Sequence, residues 1–468
     1  MTAKRRLCRN GRRDYMAVME SRPDPERDRL SGRLARLARV GAGLTGAAAR
    51  IGLNGLSGSM ERDARNARAL REALGSIKGP LMKLAQILST IPDLLPSEFA
   101  AELSELQTNA PPMGAAFVRR RMAAELGSGW RDRFAAFDLV PAAAASLGQV
   151  HRARALDGRD LAVKLQYPDM QSAVESDLSQ LRVVLALGRR MFGAIDTREI
   201  GVEIAERIRE ELDYAREARA MNLYRSFFAS RSDIAVPAPD GALSTERLLS
   251  MDWLEGEGLP RFVAESAERR NRIARVLFEA WWTPLIKIGV IHGDPHLGNY
   301  SFSGADDRLN LLDFGCIRIF PPAFVGGVVR LHRAIIAGDR EAEAEAYRAW
   351  GFDSLSGELV EAMGMWARFI YGPLLEDRVR TVADGVSPSA YGRREAFQVK
   401  QALAEKGPVV IPREFVFMDR AAIGLGAAFL RLDAALNWRC LFEAALEGFS
   451  EEALARRQAE ALAAVGLA

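Results

Sequence analysis

The sequence predicts an α+β protein of two lobes, a small mixed lobe followed by a mostly helical one. Three observations carry this. Residues 134–166 follow a β-like pattern, and Asp157-Gly158 falls between two alternating runs as a hairpin turn. A second β segment, "STERLLSMDWLEG", ends at Gly256. Beyond residue 262 the pattern is helical, apart from one hairpin inside "VIHGDPHLGNYSFSGADDRLNLLDFG", residues 290–315.

Composition sets the outer limits. The 468 residues are 49% hydrophobic and 27% charged, enough to bury a sizeable core. A net charge of +3 gives no reason to expect a nucleic-acid partner. Cys8, Cys316 and Cys440 lie far apart, which fits a reducing compartment and forms neither a disulfide framework nor a metal-ligand pattern. No apolar run approaches the roughly 18 residues that span a bilayer. A cytoplasmic location is expected.

In chain order, residues 1–28 read as a disordered basic arm, with Lys4, Arg5, Arg6, Arg9, Arg12 and Arg13 near its start. Residues 29–132 form an N-terminal helical extension. Within it Leu30, Leu34, Leu37, Val40 and Leu44 recur at helical spacing, with Arg33, Arg36 and Arg39 on other faces. Such a helix suits either docking on the protein itself or peripheral contact with the inner face of an anionic membrane through residues 29–50. Ile77, Leu81, Leu84 and Leu88 make a firmer apolar stripe, stopped by Pro92. Residues 133–256 then form the small lobe and 257–468 the large one.

The chemistry sits in residues 290–315. Asp294 lies five residues before Asn299 in a loop bent by Pro295 and Gly298. Asn299 opens a strand, a turn follows, and the return strand delivers Asp313, Phe314 and Gly315. A hairpin brings its ends together, so Asn299 and Asp313 should lie close enough to share a Mg²⁺, with phosphate oxygens and water completing the shell. Asp294 is left to orient or deprotonate an attacking hydroxyl or water. This is the division of labour in a kinase catalytic loop and its D-F-G element. His292 and His296 are expected to brace the loop.

A cation for the phosphates comes from "GRDLAVKLQYP". Alternation puts Leu161, Val163 and Leu165 on one face and Ala162, Lys164 and Gln166 on the other, so Lys164 faces the cleft. Its expected partner is Glu217, which shares a helix face with Asp213 four residues before it. Met251 and Trp253, in the second β segment, are expected beside the nucleotide. The segment that would close over its phosphates is Ala143, Ala144, Ala145 and Ser146, where a Gly-rich loop is usual. Each Cβ makes the closest backbone approach costly. After Gly315 the chain runs through "CIRIFPPAF" straight into a helix, with no room for a long activation segment.

Together these features resemble the UbiB (AarF-domain) family of atypical protein-kinase-like proteins over roughly residues 75–320. The family's Ala-rich loop matches Pro141 to Ser146, and its E-x-D element matches Glu211 and Asp213. Its H-G-D-P-H-P-G-N loop matches His292 to Asn299, with Leu297 where proline is usual. Its K-x-G-Q element matches Lys83 to Gln86, with Ala85 for glycine. The resemblance implies a two-lobed protein-kinase-like fold with an extra N-terminal helical segment and a mostly helical C-lobe. It also implies ATP/ADP and Mg²⁺ as ligands, and ATPase or unorthodox kinase activity. Lys83, Gln86, Glu211 and Asp213 would then be regulatory, with the Lys83–Gln86 helix folding over the cleft. Relatives in the family are linked to ubiquinone and isoprenoid-lipid metabolism, which implies a lipid or quinone-intermediate ligand. Two alternatives are a small-molecule kinase of the aminoglycoside or choline type and a nucleotide-binding pseudokinase scaffold. The Ala-rich segment speaks against the first, and the full set of catalytic residue types against the second.

Overall fold

The computed structural model describes residues 113–145, 147–175, 178, 198–304, 306–352, 357–385 and 412–468. The basic arm, the segment 29–50, the Lys83–Gln86 helix and Ser146 lie outside the described residues.

Helix α1 (Ala115–Leu126) leads into a five-stranded antiparallel sheet. Its strands are β1 (Phe134–Phe137), β2 (Ala143–Ala145), β3 (Gly148–Ala155), β4 (Asp160–Gln166) and, later in the chain, β6 (Leu248–Asp252). β3 pairs with β4 across the turn at Asp157-Gly158, where Gly158 has a φ of 90° that a side chain would oppose. β6 adds to the far edge of β4, with Lys164 opposite Leu249 and Ala162 opposite Met251. The alternation along β4 has the expected consequence. Leu161, Val163 and Leu165 are fully buried in the small lobe's own core with Trp130, Phe134 and Met122. Each contributes about 1.5–3 kcal/mol by leaving water. Ala162 on the opposite face joins the core of the large lobe.

Helical sequence after β4 is not one continuous run. Helix α2 (Arg198–Glu210) stops, and α3 (Tyr214–Phe227) begins after a break at residues 211–213. Asp213 is the N-cap of α3, its carboxylate accepting from Arg216 N at 2.8 Å. It therefore caps the helix of Glu217 rather than lying along its face. Short polar side chains compete for backbone donors and favour such ends.

The large lobe is built on α4 (Ala267–Ile288), which carries Ile273, Leu277, Trp281 and Leu285 fully buried along one stripe. β5 (Ile234–Ala235) crosses ahead of it and pairs in parallel with β9. β7 (Val290–His292), β8 (Tyr300–Phe302), β9 (Leu309–Leu311) and β10 (Ile317–Ile319) hold the functional loops. β8 and β9 form the expected hairpin, and β10 returns antiparallel to β7. Helices α5 (Pro322–Ala337), α6 (Arg340–Ala349), α7 (Gly357–Tyr371), α8 (Arg413–Leu432), α9 (Trp438–Leu446) and α10 (Glu451–Val465) complete the lobe. α10 packs on α3 as well as on α4 and α5. Gln458 on α10 donates to Ile288 O at 3.2 Å and Phe320 O at 2.8 Å, gripping both strands of the β7–β10 ribbon at the end where Val290 pairs with Ile319.

Trp281 links α4 to the loop after β7. Its Nε1 donates to His292 O at 2.9 Å, and its ring lies 5.2 Å from that of His292 and 5.6 Å from that of Tyr300. Trp281→Ala is expected to cost about 3–5 kcal/mol of stability in urea denaturation. Trp281→Phe, which keeps most of the volume but orphans the carbonyl, should cost about 1–3 kcal/mol.

Candidate active site

Lys164 lies at the meeting point of three separate segments. Its Nζ donates to both oxygens of Glu217 at 2.8 and 3.0 Å and to Oδ2 of Asp313 at 3.1 Å. The ring of Tyr214 sits 5.2 Å away. Burial opposes the charge on Lys164, but Asp313 and Glu217 outweigh it and hold the ammonium well above its ordinary pKa. Burial pushes Glu217 up to about 7, with Lys164 pulling against it and Asp313 adding to it. Two carboxylates thus share one ammonium, and Asp313, whose side chain is 34% exposed, reaches toward the cleft.

Asp313 is positioned by its own loop. Its Oδ1 accepts from Gly315 N at 2.9 Å, and its carbonyl is 2.5 Å from His292 Nε2. Asn299 stands at the other end of the hairpin, where its carbonyl accepts from Leu312 N at 2.9 Å. Its Nδ2 donates to Asp294 O at 2.9 Å, which leaves the side-chain oxygen as the atom a cation would meet. Among the described residues, no three of His, Cys, Asp and Glu gather into a cation cage. An oxygen pair completed by phosphate and water is the arrangement Mg²⁺ takes in nucleotide sites, and Asn299 and Asp313 carry oxygens of that kind.

Asp294 is buried, and its Oδ1 lies 2.7 Å from Nη2 of Arg420 on α8. Nothing in the sequence around Arg420 flags it: a lone arginine in an amphipathic helix, more than a hundred residues from the loop. His292 braces the loop from within, accepting from Asp294 N at 3.3 Å through Nδ1. His296 accepts from Gly298 N at 3.1 Å and stays on the surface of the turn.

The remaining sequence-derived candidates fall around this centre. Ala143–Ala145 is a paired strand, not an open loop, registered against Gly148 to Val150. Met251 is buried opposite Ala162 in the large-lobe core. Trp253 follows β6 and lies under the guanidinium of Arg152, 4.9 Å from its ring centre. Glu211 sits beside Gly315, where an added Cβ would come 3.7 Å from its Cγ. Asp213 is the cap described above.

The ABC1 atypical kinase-like domain family matches residues 105–347, more than half of the chain. The mitochondrial atypical kinase coq-8 of Caenorhabditis elegans is 31% identical over 344 residues, 69% of this chain and 45% of that protein. The mitochondrial atypical kinase COQ8 of Saccharomyces cerevisiae is 28% identical over 261 residues, 56% of this chain and 52% of that protein. The chain thus spans about half the length of these curated relatives. Among solved structures, the Rv3197–erythromycin complex from Mycobacterium tuberculosis is 27% identical with a TM-score of 0.55. That match covers 81% of this chain and 95% of the other.

The buried histidines make the fold sensitive to acid. In His151, Nδ1 donates to Asp138 O at 2.8 Å and Nε2 accepts from Gln149 Nε2 at 2.9 Å, a pattern only the neutral ring allows. His292 uses its nitrogens in the same complementary way. Burial lowers the pKa of His151, His292 and His332 below 6.5. As pH falls through 6.5 the unfolded chain takes up protons that the folded chain refuses, so stability declines there. The thermal midpoint should drop between pH 7.5 and pH 5.5, and His151→Gln should flatten that slope.

Proposed function

The chain belongs to the ABC1 atypical kinase-like family, and from that premise we propose that it is an ATP-binding, Mg²⁺-dependent kinase-like ATPase. The observation that carries this is Lys164 bridging Glu217 and Asp313 at 2.8 and 3.1 Å, beside the loop from Asp294 to Asn299. In this reading Lys164 holds the nucleotide phosphates and Glu217 keeps it aimed. Asn299 and Asp313 would hold Mg²⁺, which when bound neutralises charge on the phosphate oxygens. Asp294 takes the proton from the attacking oxygen as that oxygen bonds to the terminal phosphorus and the bridging P–O bond breaks. We assign Met251 and Trp253, in and just after β6, to the side of the cleft where a base would rest. Ala143–Ala145, paired along β3, forms the edge toward the phosphates.

The acceptor is water or an alcohol group of a lipid or quinone intermediate, and ubiquinone or isoprenoid-lipid metabolism is the setting we propose. The named relatives are atypical kinases of mitochondria. Among the described residues no helix is long and apolar enough to cross a membrane. Contact with a membrane surface is therefore assigned to residues 29–50, at its inner face, with the rest of the protein in the cytoplasm. Regulation is assigned to Lys83 and Gln86 acting with Glu211 and Asp213.

The test is Mg²⁺-dependent ATP turnover by the full chain. Asp313→Asn should lower turnover and raise the Mg²⁺ concentration needed for half-maximal rate. Asp294→Asn should cost about 10²- to 10⁴-fold in rate. Equal turnover by wild type and Asp313→Asn would remove the metal assignment.

A further inference from the structure

The catalytic loop carries no strong cation of its own. Residues 293–299 read "GDPHLGN", without lysine or arginine, and His296 is engaged as an acceptor from Gly298 N. A positive charge against Asp294 comes from Arg420 on α8. Its Nη2 is 2.7 Å from Oδ1, with the two side chains 5% and 9% exposed. The backbone of α8 packs directly on the ring of Pro295. Gly424 lies one turn on from Arg420, and a Cβ there would fall 2.3 Å from Cγ of Pro295, the residue after Asp294.

This guanidinium is poorly placed for stability alone. Its Nη1 is buried without a hydrogen-bond partner, and only Nη2 donates to the carboxylate. A desolvated charge with an orphaned donor costs free energy. Such groups call for a cause other than packing. Fixing the carboxylate is that cause. With Oδ1 held by Arg420, the Asp294 carboxylate is anchored from α8.

We propose that Arg420 is a positioning residue that orients the Asp294 carboxylate from α8, and that Gly424 sets the depth at which it does so. The inference rests on Asp294 being the proton acceptor of the proposed reaction. Arg420 acts through that carboxylate and does not bind nucleotide.

The experiment compares Arg420→Met, Arg420→Lys and Gly424→Ala in the full chain. It reads kcat and KM for MgATP, nucleotide affinity with a fluorescent ATP analogue, and the melting temperature. Arg420→Met should lower kcat by about 10²-fold, the scale of a misplaced catalytic group. KM and analogue affinity should stay within about twofold, since the loss is confined to the transition state. Arg420→Lys, which retains the charge, should recover about tenfold of that loss. Gly424→Ala, which pushes α8 off Pro295, should fall between wild type and Arg420→Met. If Arg420→Met does not fold, Arg420→Lys and Gly424→Ala decide the matter by the same split between kcat and KM. Unchanged kcat, parallel losses in kcat and affinity, or a lysine variant no better than methionine at equal melting temperature would each overturn the proposal. Asp294→Asn is the control. If it is as active as wild type, the proton-acceptor reading falls and this inference with it. If it is inactive while Arg420→Met matches wild type, only the role of Arg420 is lost.

Discussion

The buried ammonium of Lys164 is the constraint on which the rest of the cleft depends. Removing a charge from water costs several kcal/mol unless partners replace the lost hydration. Here Glu217 supplies both oxygens and Asp313 one, from segments 53 and 149 residues away. That single requirement fixes the register of β4, the position of α3 and the end of the β8–β9 hairpin relative to one another. Had β4 slipped by one residue, Val163 or Leu165 would have faced the carboxylates and Lys164 the apolar core. The register against β3 and β6 prevents this.

Around that point the large lobe acts as a rigid mount. Trp281 fixes the backbone of His292, and His292 in turn touches both Asp294 and Asp313 through its two nitrogens. One neutral imidazole therefore spaces the two acidic residues of the site. The ribbon of β7 and β10 carries them on a short, stiff support, clamped by Gln458 at the Val290–Ile319 end, away from the loop. The chain from β10 enters α5 at Pro322 within three residues. The stretch between Gly315 and α5 is therefore short and largely taken up by β10.

Much of this was legible in the primary structure, because it depends on short-range chemistry. The Asp-Gly turn, the alternation that turns Lys164 away from Leu161, Val163 and Leu165, and the spacing from Asp294 to Asp313 are all local patterns. What escaped was either tertiary or too weakly patterned. Arg420 sits where nothing in the surrounding residues distinguishes a buried ion-pair partner from a solvated helix position. The break before α3 was hidden because Glu210 to Asp213 reads as helix by composition, while Asp213 gains more as a cap. Alanine has little β preference, so Ala143–Ala145 reads as an open loop although β3 recruits it as a strand. The family resemblance supplied the overall fold, since composition alone could fix only an α+β class.

The ionic centre draws on residues spread from 164 to 420, and this has a consequence for the nascent chain. Synthesis at about 5–20 residues per second leaves on the order of ten to fifty seconds between the appearance of Lys164 and that of Arg420. Until Glu217 and Asp313 follow, the small sheet must stand on its own apolar interior, with its lysine still hydrated. The cleft is thus complete only after translation has passed α8, and a polypeptide interrupted before it would carry the sheet without the ion pair that holds the loop's aspartate.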